Sequence, residues 1–229
     1  FVQNNFLAIS QDSQVANNCD EFGDGNNGDT TPFCNNGVAN RIGLIGPVSQ
    51  SNAAKGTEVA DISQNKDISI NQVVLALNAC DQSGPGNNLG TNIALCSNSG
   101  GNFIASVAQS NVASGDLFTD FFQDNDAAYS QVIDLNNNCD ETTFVVDSED
   151  NQASCTNDNV ENFIEDVSQA NTASGEFDTL IDQDNNAALT QKLVIDNTCD
   201  GTSHSSVRCT TFDLGNSIGD VSQSNVASG

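Results

Sequence analysis

A seven-residue phrase that recurs along the chain constrains the fold more than any other feature of the sequence. Its form is Val-(Ser or Ala)-Gln-x-Asn-x-Ala, and its copies cover residues 48–54, 107–113, 167–173 and 221–227. A cysteine recurs independently of this phrase, in steps of 61, 59 and 60 residues, at Cys19, Cys80, Cys139 and Cys199. Two independent markers with the same period predict tandem units that stack on one another. We expect four units in one continuous domain, over residues 1–56, 57–115, 116–175 and 176–229.

The residues that lead into each of these cysteines alternate strictly between two faces. In the third unit every second position carries an amide or an apolar residue, at Gln123, Asn125, Ala127, Tyr129, Gln131, Ile133, Leu135, Asn137 and Cys139. Because successive side chains of a strand point to opposite faces, this alternation predicts β-structure rather than a helix. A single strand of this length would be unusual, so we expect a corner near Ala127 or Ala187. The three-residue step from Ile104 to Val107 predicts a further bulge or corner. The predicted fold class is an all-β solenoid with one or two rungs per unit and disulfide-closed loops.

Glutamine and asparagine occupy the inward positions together with small apolar residues. An unpaired buried amide costs about 1–3 kcal/mol, but stacking in register at about 4.8 Å lets each amide bond to its copy in the next rung. The predicted amide ladder comprises Gln3, Asn5, Gln11, Gln50, Asn52, Gln64, Gln72, Gln109, Asn111, Gln123, Asn125, Gln131, Gln169, Asn171, Gln183, Asn185, Gln191, Gln223 and Asn225. The alternative is that these amides only decorate a polar strand. Lys66 takes an inward position in the second unit, and the pattern does not explain it.

The spacing of these amides resembles that of the curlin repeats of curli-type extracellular fibres. Curlin repeats carry an Asn, five intervening residues and a Gln, and the same arrangement occurs at residues 5–11, 125–131 and 185–191, with Lys66 departing from it. The first half of the curlin pattern has a longer, Gly-containing spacer between Gln and Asn, where this chain has one residue. Curlin units are also shorter and lack paired cysteines. Over about half of each unit, the resemblance implies a cross-β solenoid that forms fibres.

A second cysteine follows the first in every unit, which predicts local disulfides. Tandem repetition favours the same pairing in each unit, namely Cys19–Cys34, Cys80–Cys96, Cys139–Cys155 and Cys199–Cys209. The rival is a ladder that joins equivalent cysteines of successive units, which requires one rung per unit. Paired cysteines indicate an oxidising, extracellular compartment. No metal centre of cysteine and histidine is expected, since the chain has one histidine and no Cys-x2-Cys motif.

The charge of the chain excludes several kinds of partner. A net charge of -26, from 31 acidic and 5 basic residues, argues against binding to nucleic acid or anionic lipid. The longest apolar stretch, residues 73–77, is too short to insert into a membrane. An acidic, Gly-containing loop with Asp20, Glu21, Asp24 and Asp29 offers oxygen ligands for Ca²⁺, although a solvated loop explains it as well, and no other cofactor is expected. Catalysis is not expected, because His204 is the only side chain with an ordinary pKa near neutrality.

These features together predict a structural subunit of an extracellular filament, in which copies of the chain join head to tail through strand edges. The predicted contact residues are Phe1, Val2 and Gln3 at one end and Gln223, Asn225 and Ala227 at the other. The two ends are nearly in phase with the repeat, which suits separate stacked chains or an excerpt of a longer array. Apolar residues on the outer face, Val73, Leu75 and Leu77, suggest lateral bundling or a covering loop. The alternatives are a monomeric secreted adhesin or ligand-binding solenoid, and an acidic surface-layer or sheath component.

Overall fold

The described part of the chain is composed of β-strands. A computed structural model describes residues 1–18, 21–22, 33–42, 48–84, 93–143, 151–200 and 205–228. Within these ranges the strands are β1 (Val2–Asn18), β2 (Glu21–Phe22), β3 (Phe33–Ile42), β4 (Val48–Gly56), β5 (Ala60–Gly84), β6 (Ile93–Ile104), β7 (Val107–Gly115), β8 (Thr119–Thr143), β9 (Asn151–Ile164), β10 (Val167–Gly175), β11 (Leu180–Asp200), β12 (Ser205–Thr211), β13 (Leu214–Ile218) and β14 (Val221–Ser228). The predicted all-β class is therefore confirmed.

These strands form three sheets, and every pairing within them is parallel. The long strands make one sheet in the order β1-β5-β8-β11, with β2 beside β5. A second sheet has the order β3-β6-β9-β12, with β13 also paired to β9, and a third has the order β4-β7-β10-β14. Strands that pair with each other thus lie about 60 residues apart in the chain. Gln64 of β5, for example, lies opposite Gln123 of β8. This topology is consistent with a β-solenoid.

Side-chain hydrogen bonds place the second and third sheets opposite the long-strand sheet. Gln72 in β5 donates to the carbonyl oxygen of Phe103 in β6, at 3.2 Å. Gln64, nearer the start of the same strand, donates to the carbonyl oxygen of Val112 in β7, at 3.3 Å. One long strand is therefore covered by two shorter strands that follow each other in the chain. The molecule has two layers with a narrow core between them.

The bend of the chain lies in the layer of short strands, and the predicted corner in the long strands is wrong. Strands β8 and β11 run through Ala127 and Ala187 without interruption. The predicted break after Ile104 is present, because β6 ends there and β7 begins at Val107. Ile104 and Val107 are both buried against Ala127 in one apolar cluster. Ala127, in the uninterrupted strand β8, thus packs against the residues on both sides of this break.

The core consists of apolar and amide columns that alternate along the long strands. In β8 the order is Phe121, then Gln123 and Asn125, then Ala127 and Tyr129, then Gln131, then Ile133 and Leu135, then Asn137 and Cys139, and all of these side chains are buried. Their apolar members belong to four separate clusters. A narrow core of this kind holds the layers together by hydrogen bonds as well as by burial of apolar surface.

Candidate assembly site: amide ladders and sheet edges

Glutamine ladders run through the long-strand sheet at two positions. Gln64 donates to Gln3 at 2.8 Å, Gln123 to Gln64 at 2.8 Å and Gln183 to Gln123 at 2.7 Å, in each case from Nε2 to Oε1. The second ladder repeats this arrangement in Gln72 to Gln11 at 2.8 Å, Gln131 to Gln72 at 3.0 Å and Gln191 to Gln131 at 2.9 Å. Every predicted glutamine of the long strands takes part in one of these two ladders.

The glutamines of the inner rungs also bond across the core to the opposite layer. Gln123 Nε2 donates to the carbonyl oxygen of Thr172 at 3.2 Å, and Gln131 Nε2 donates to that of Phe163 at 3.1 Å. One amide hydrogen thus serves the stack and the other serves the facing sheet. This explains how fully buried amides avoid the cost of unmet hydrogen bonds.

The predicted asparagines form a zigzag that passes between the two layers. From Nδ2 to Oδ1, the bonds between the layers run Asn5 to Asn52, Asn111 to Asn125, Asn125 to Asn171, Asn171 to Asn185 and Asn185 to Asn225, at distances from 2.6 to 3.1 Å. Between Asn52 and Asn111 the bond stays within the third sheet, at 3.2 Å. In-layer bonds such as Asn125 to Asn185, at 2.8 Å, supplement this zigzag. The asparagines therefore connect both neighbouring rungs and both layers.

Two further asparagine networks were missed in the sequence. A second zigzag lies beside the disulfides and runs from Asn17 through Asn36, Asn78, Asn98, Asn137 and Asn157 to Asn197. A column in the second sheet runs Asn40, Asn102, Asn162 and Asn216, with bonds of 3.1, 3.0 and 2.9 Å. The sequence contains a repeated pattern that predicts both networks. An Asn stands two residues before each first cysteine, and another stands two residues before Ile42, Ile104, Ile164 and Ile218.

Lys66 interrupts the amide networks at one point. It is fully buried, in register between Asn5 and Asn125, and its Nζ donates to the carbonyl oxygens of Gln50 (3.1 Å) and Ser110. Burial lowers the pKa of Lys66 from 10.5 to about 8, because the charged ammonium loses its hydration.

The glutamine ladder of the third sheet is incomplete beside this lysine. Gln223 donates to Gln169 at 2.8 Å and Gln169 to Gln109 at 2.9 Å, both between side-chain amides. Gln109 instead donates to the carbonyl oxygen of Asp126 at 3.0 Å, and the buried Oε1 of Gln50 has no hydrogen-bond partner in the described part of the chain. One lysine therefore coincides with defects in two neighbouring amide networks.

Three of the four predicted disulfides are present in the structure. They join Cys80 to Cys96, Cys139 to Cys155 and Cys199 to Cys209, with Cα–Cα distances of 6.4, 6.3 and 6.4 Å. Cys34 is also disulfide-bonded, and its predicted partner Cys19 lies outside the described residues. Each of these bonds joins two cysteines of the same predicted unit. The alternative prediction, in which disulfides join equivalent cysteines of successive units, is therefore wrong for these three pairs.

The sulfur atoms of neighbouring disulfides lie close together in the stack. Those of Cys96, Cys139 and Cys155, for example, are all within 4.8 Å of one another. Because these sulfurs are oxidised, they provide no thiolate ligands for a metal ion. Buried disulfides of this kind are typical of an oxidising compartment.

The two ends of the stack expose strand edges. The strands at the first end are β1, β3 and β4, and those at the other end are β11, β12, β13 and β14, each paired on one side only within the described ranges. The predicted contact residues lie here. Phe1 and Val2 are 69% and 67% exposed and Gln3 is partly exposed, while Gln223, Asn225 and Ala227 lie in β14, which is exposed throughout. An open parallel edge offers unpaired backbone donors and acceptors to a further strand.

The other predicted surface features lie apart from these edges. Val73, Leu75 and Leu77 face outward on β5, whereas the intervening Val74 and Ala76 are buried. Of the predicted calcium loop, Asp20, Asp24 and Asp29 lie outside the described residues, as does His204, and Glu21 belongs to the short strand β2.

Besides Lys66, two further titratable groups of the long-strand sheet have perturbed pKa values. Burial, together with the neighbouring carboxylates of Asp126 and Asp184, raises the pKa of Asp124 on the outer face. The hydroxyl of Tyr129 is buried in the core without a hydrogen-bond partner in the described ranges, and this burial raises the pKa of Tyr129. Tyr129 belongs to an apolar cluster with Ile104 and Ile164, so we assign it to packing rather than to chemistry.

Among the residues that the structure describes, none forms a helix with the length and hydropathy that a lipid bilayer requires.

Comparisons with known proteins add no relative to this description. No protein-family model, no curated protein and no solved structure matches the chain. The interpretation of the chain therefore depends on its stacked strands and amide networks.

Proposed function

We propose that the chain is a subunit of an extracellular filament, in which copies stack head to tail and continue the three parallel sheets. In this proposal the chain is a β-solenoid of four tandem units, over residues 1–56, 57–115, 116–175 and 176–229, with one rung per unit. Its role is mechanical, since backbone ladders, amide ladders and disulfides would give a thread that resists unfolding.

The observation that carries this proposal is the pair of open stack ends. Within the described ranges, both ends consist of parallel strands with an unpaired edge, and both expose amides of columns that are buried inside the stack. Gln3 is partly exposed at the first end, whereas Gln64 and Gln123 of the same column are 0% and 2% exposed. A further copy of the chain would bury these edges and extend the columns. The partial resemblance to curlin repeats and the disulfides support an extracellular fibre.

Electron microscopy and fibre diffraction of the purified, oxidised protein test this function. We expect unbranched filaments that give a meridional reflection near 4.8 Å, because strands stacked across the axis repeat at that spacing. The reduced and denatured chain, adsorbed in the same way, serves as the control. Particles that remain monomeric in sedimentation at every concentration tested, or filaments without this reflection, would refute the proposal.

One surface feature supports a second candidate, a secreted ligand-binding solenoid. A groove of about 420 Å³ lies on the outer face of the second sheet, and Gly101, Phe103, Glu161 and Phe163 contribute to its lining. The rings of Phe103 and Phe163 stack with centroids 5.2 Å apart. Isolated particles in the micrographs, together with binding of a soluble glycan that is lost in Phe103→Ala, would favour this second function.

A further inference from the structure

The glutamine ladders of the long-strand sheet all have the same polarity. Each glutamine donates to the copy that precedes it in the chain, as Gln64 does to Gln3 and Gln183 does to Gln123. At the first end, Gln3 therefore accepts a bond from within the chain, while its Nε2 has no partner among the described residues. At the other end the situation is reversed, and the Oε1 of Gln183 has no donor within the described ranges. The first end offers glutamine donors and the last end offers glutamine acceptors.

The asparagine column of the second sheet has the opposite polarity. Asn40 donates to Asn102 at 3.1 Å, Asn102 to Asn162 at 3.0 Å and Asn162 to Asn216 at 2.9 Å. The Nδ2 of Asn216 at the last end has no acceptor in the described part of the chain. The Oδ1 of Asn40 at the first end accepts from the hydroxyl of Ser13 at 2.6 Å, which leaves one lone pair. The last end therefore offers asparagine donors and the first end offers asparagine acceptors.

We infer that these two polarities make the ends of the stack complementary, so that a second copy of the chain adds in one orientation only. This inference rests on the proposed filament function and specifies its contact. Gln3 of one copy donates to Gln183 of the next copy, and Asn216 of that copy donates to Asn40. Two first ends in contact would place glutamine donors against donors and asparagine acceptors against acceptors. Such contacts leave buried polar groups unpaired, which disfavours them.

Two substitutions block one end each and leave the bonds within the chain in place. In Gln3→Glu the carboxylate still accepts the bond from Gln64, but it has no hydrogen to donate outward. In Asn216→Asp the carboxylate still accepts from Asn162 and likewise loses the outward donor. Each carboxylate is solvated in the separate chain and would become a buried, unpaired charge in the contact. We therefore expect each variant to raise the critical concentration for assembly at least about 100-fold. Asn4→Asp is the matched control, because it adds the same charge to β1 on its exposed outer face.

Sedimentation velocity on the two variants, separately and mixed, tests the inference at a concentration where the wild-type chain assembles. We expect each variant alone to be a folded monomer by circular dichroism, and the Asn4→Asp chain to assemble like the wild type. An equimolar mixture of the two variants should give a heterodimer, because the Gln3→Glu chain keeps an intact last end and the Asn216→Asp chain an intact first end.

Three other outcomes would overturn the inference, and they separate it from the proposed function. If the wild type assembles but either variant dimerises alone, contacts between like ends form and the polarity is refuted. If the wild type assembles and the mixture of folded variants stays monomeric, the ends are not the complementary surfaces that we describe. If the wild-type chain itself stays monomeric, the filament function and the inference both fail.

Discussion

Replacing Lys66 by asparagine restores at one position the residue type that its neighbours in the stack carry. Lys66 lies in register between Asn5 and Asn125, is fully buried, and donates to two backbone carbonyl oxygens. We expect Lys66→Asn to stabilise the folded chain, because it removes a buried charge and completes the asparagine network. It should also allow Gln109 to donate to the unpaired Oε1 of Gln50, as Gln169 does to Gln109.

The size of this effect follows from the pKa of Lys66. Burial lowers that pKa from 10.5 to about 8, which is about 2.5 pKa units, and each unit corresponds to about 1.36 kcal/mol, so the charged form costs about 3 kcal/mol at pH 7. Pairing the Oε1 of Gln50 would add about 1–3 kcal/mol. The shorter side chain removes some packing in return. We therefore expect a net gain of about 3 kcal/mol in the free energy of unfolding at pH 7.

The sign of the pH dependence gives an independent check. The pKa of Lys66 is lower in the folded chain than in the unfolded chain, so the unfolded chain binds more protons between pH 8 and 10.5. The free energy of unfolding of the wild type should therefore rise with pH through this window, and the rise should be absent in Lys66→Asn. Ionisation of unfolded tyrosine acts in both proteins, so the difference between them isolates the lysine.

Guanidinium unfolding from pH 6 to pH 10 measures both quantities. The Gln3→Glu background keeps the chain monomeric in our proposal, so assembly does not contribute to the apparent stability. Lys55→Asn is the matched control, because it removes the same charge from an exposed position on β4. A variant that is no more stable than the wild type at pH 7, or a stability difference that stays constant between pH 7 and pH 10, would refute the reasoning.

Two further changes test the ladders and the disulfides within a single chain. Gln131→Ala removes its bond to Gln72, the bond from Gln191 and the bond to the carbonyl oxygen of Phe163, and should cost about 2–6 kcal/mol because the groups left behind lie inside the stack. Gln191→Ala at the edge should cost less, because Gln191 is partly exposed and water can reach the groups that it leaves unpaired. Chemical unfolding measures both variants, and equal costs would contradict the role of the ladder. Replacing Cys139 and Cys155 by alanine opens a bond between cysteines 16 positions apart and should cost about 3 kcal/mol. Thermal unfolding of the double variant with and without reductant measures this loss, and an unchanged midpoint relative to the oxidised wild type would contradict it.

The sequence predicted the β-structure and the inward amides because both depend on a local alternation. Every second residue from Gln123 to Cys139 is buried, as the pattern indicated. The predicted corner at Ala127 was wrong because the prediction assumed strands of ordinary length. The long strand β8 continues through Ala127, and the chain bends between β6 and β7 instead. The step from Ile104 to Val107 marked that bend correctly, since a break in alternation changes which face a side chain occupies.

The arrangement between layers could not be predicted in the same way. The zigzag through Asn137 and Asn157 depends on which strand faces which, and no spacing within one strand contains that information. The direction of each ladder depends on which way the side-chain amides point, and the sequence is the same for both orientations. The surroundings of Lys66 likewise follow from the backbone of β4 and β7, whose contacting carbonyl oxygens lie 16 and 44 residues away in sequence.

The pairing of each strand with one about 60 residues away also affects how fast such a chain can fold. The first contact between two rungs, such as Gln64 with Gln123, closes a loop of about 60 residues. By the usual logarithmic dependence on loop length, that closure costs about 4 kcal/mol before neighbouring contacts offset it. Long-range parallel pairing of this kind is slow to nucleate. The exposed strand edge of an existing stack makes this first loop closure unnecessary, because an incoming strand pairs with an edge that is already ordered. Spontaneous ordering from free chains should therefore show a lag, and sheared fragments added as seeds should shorten it.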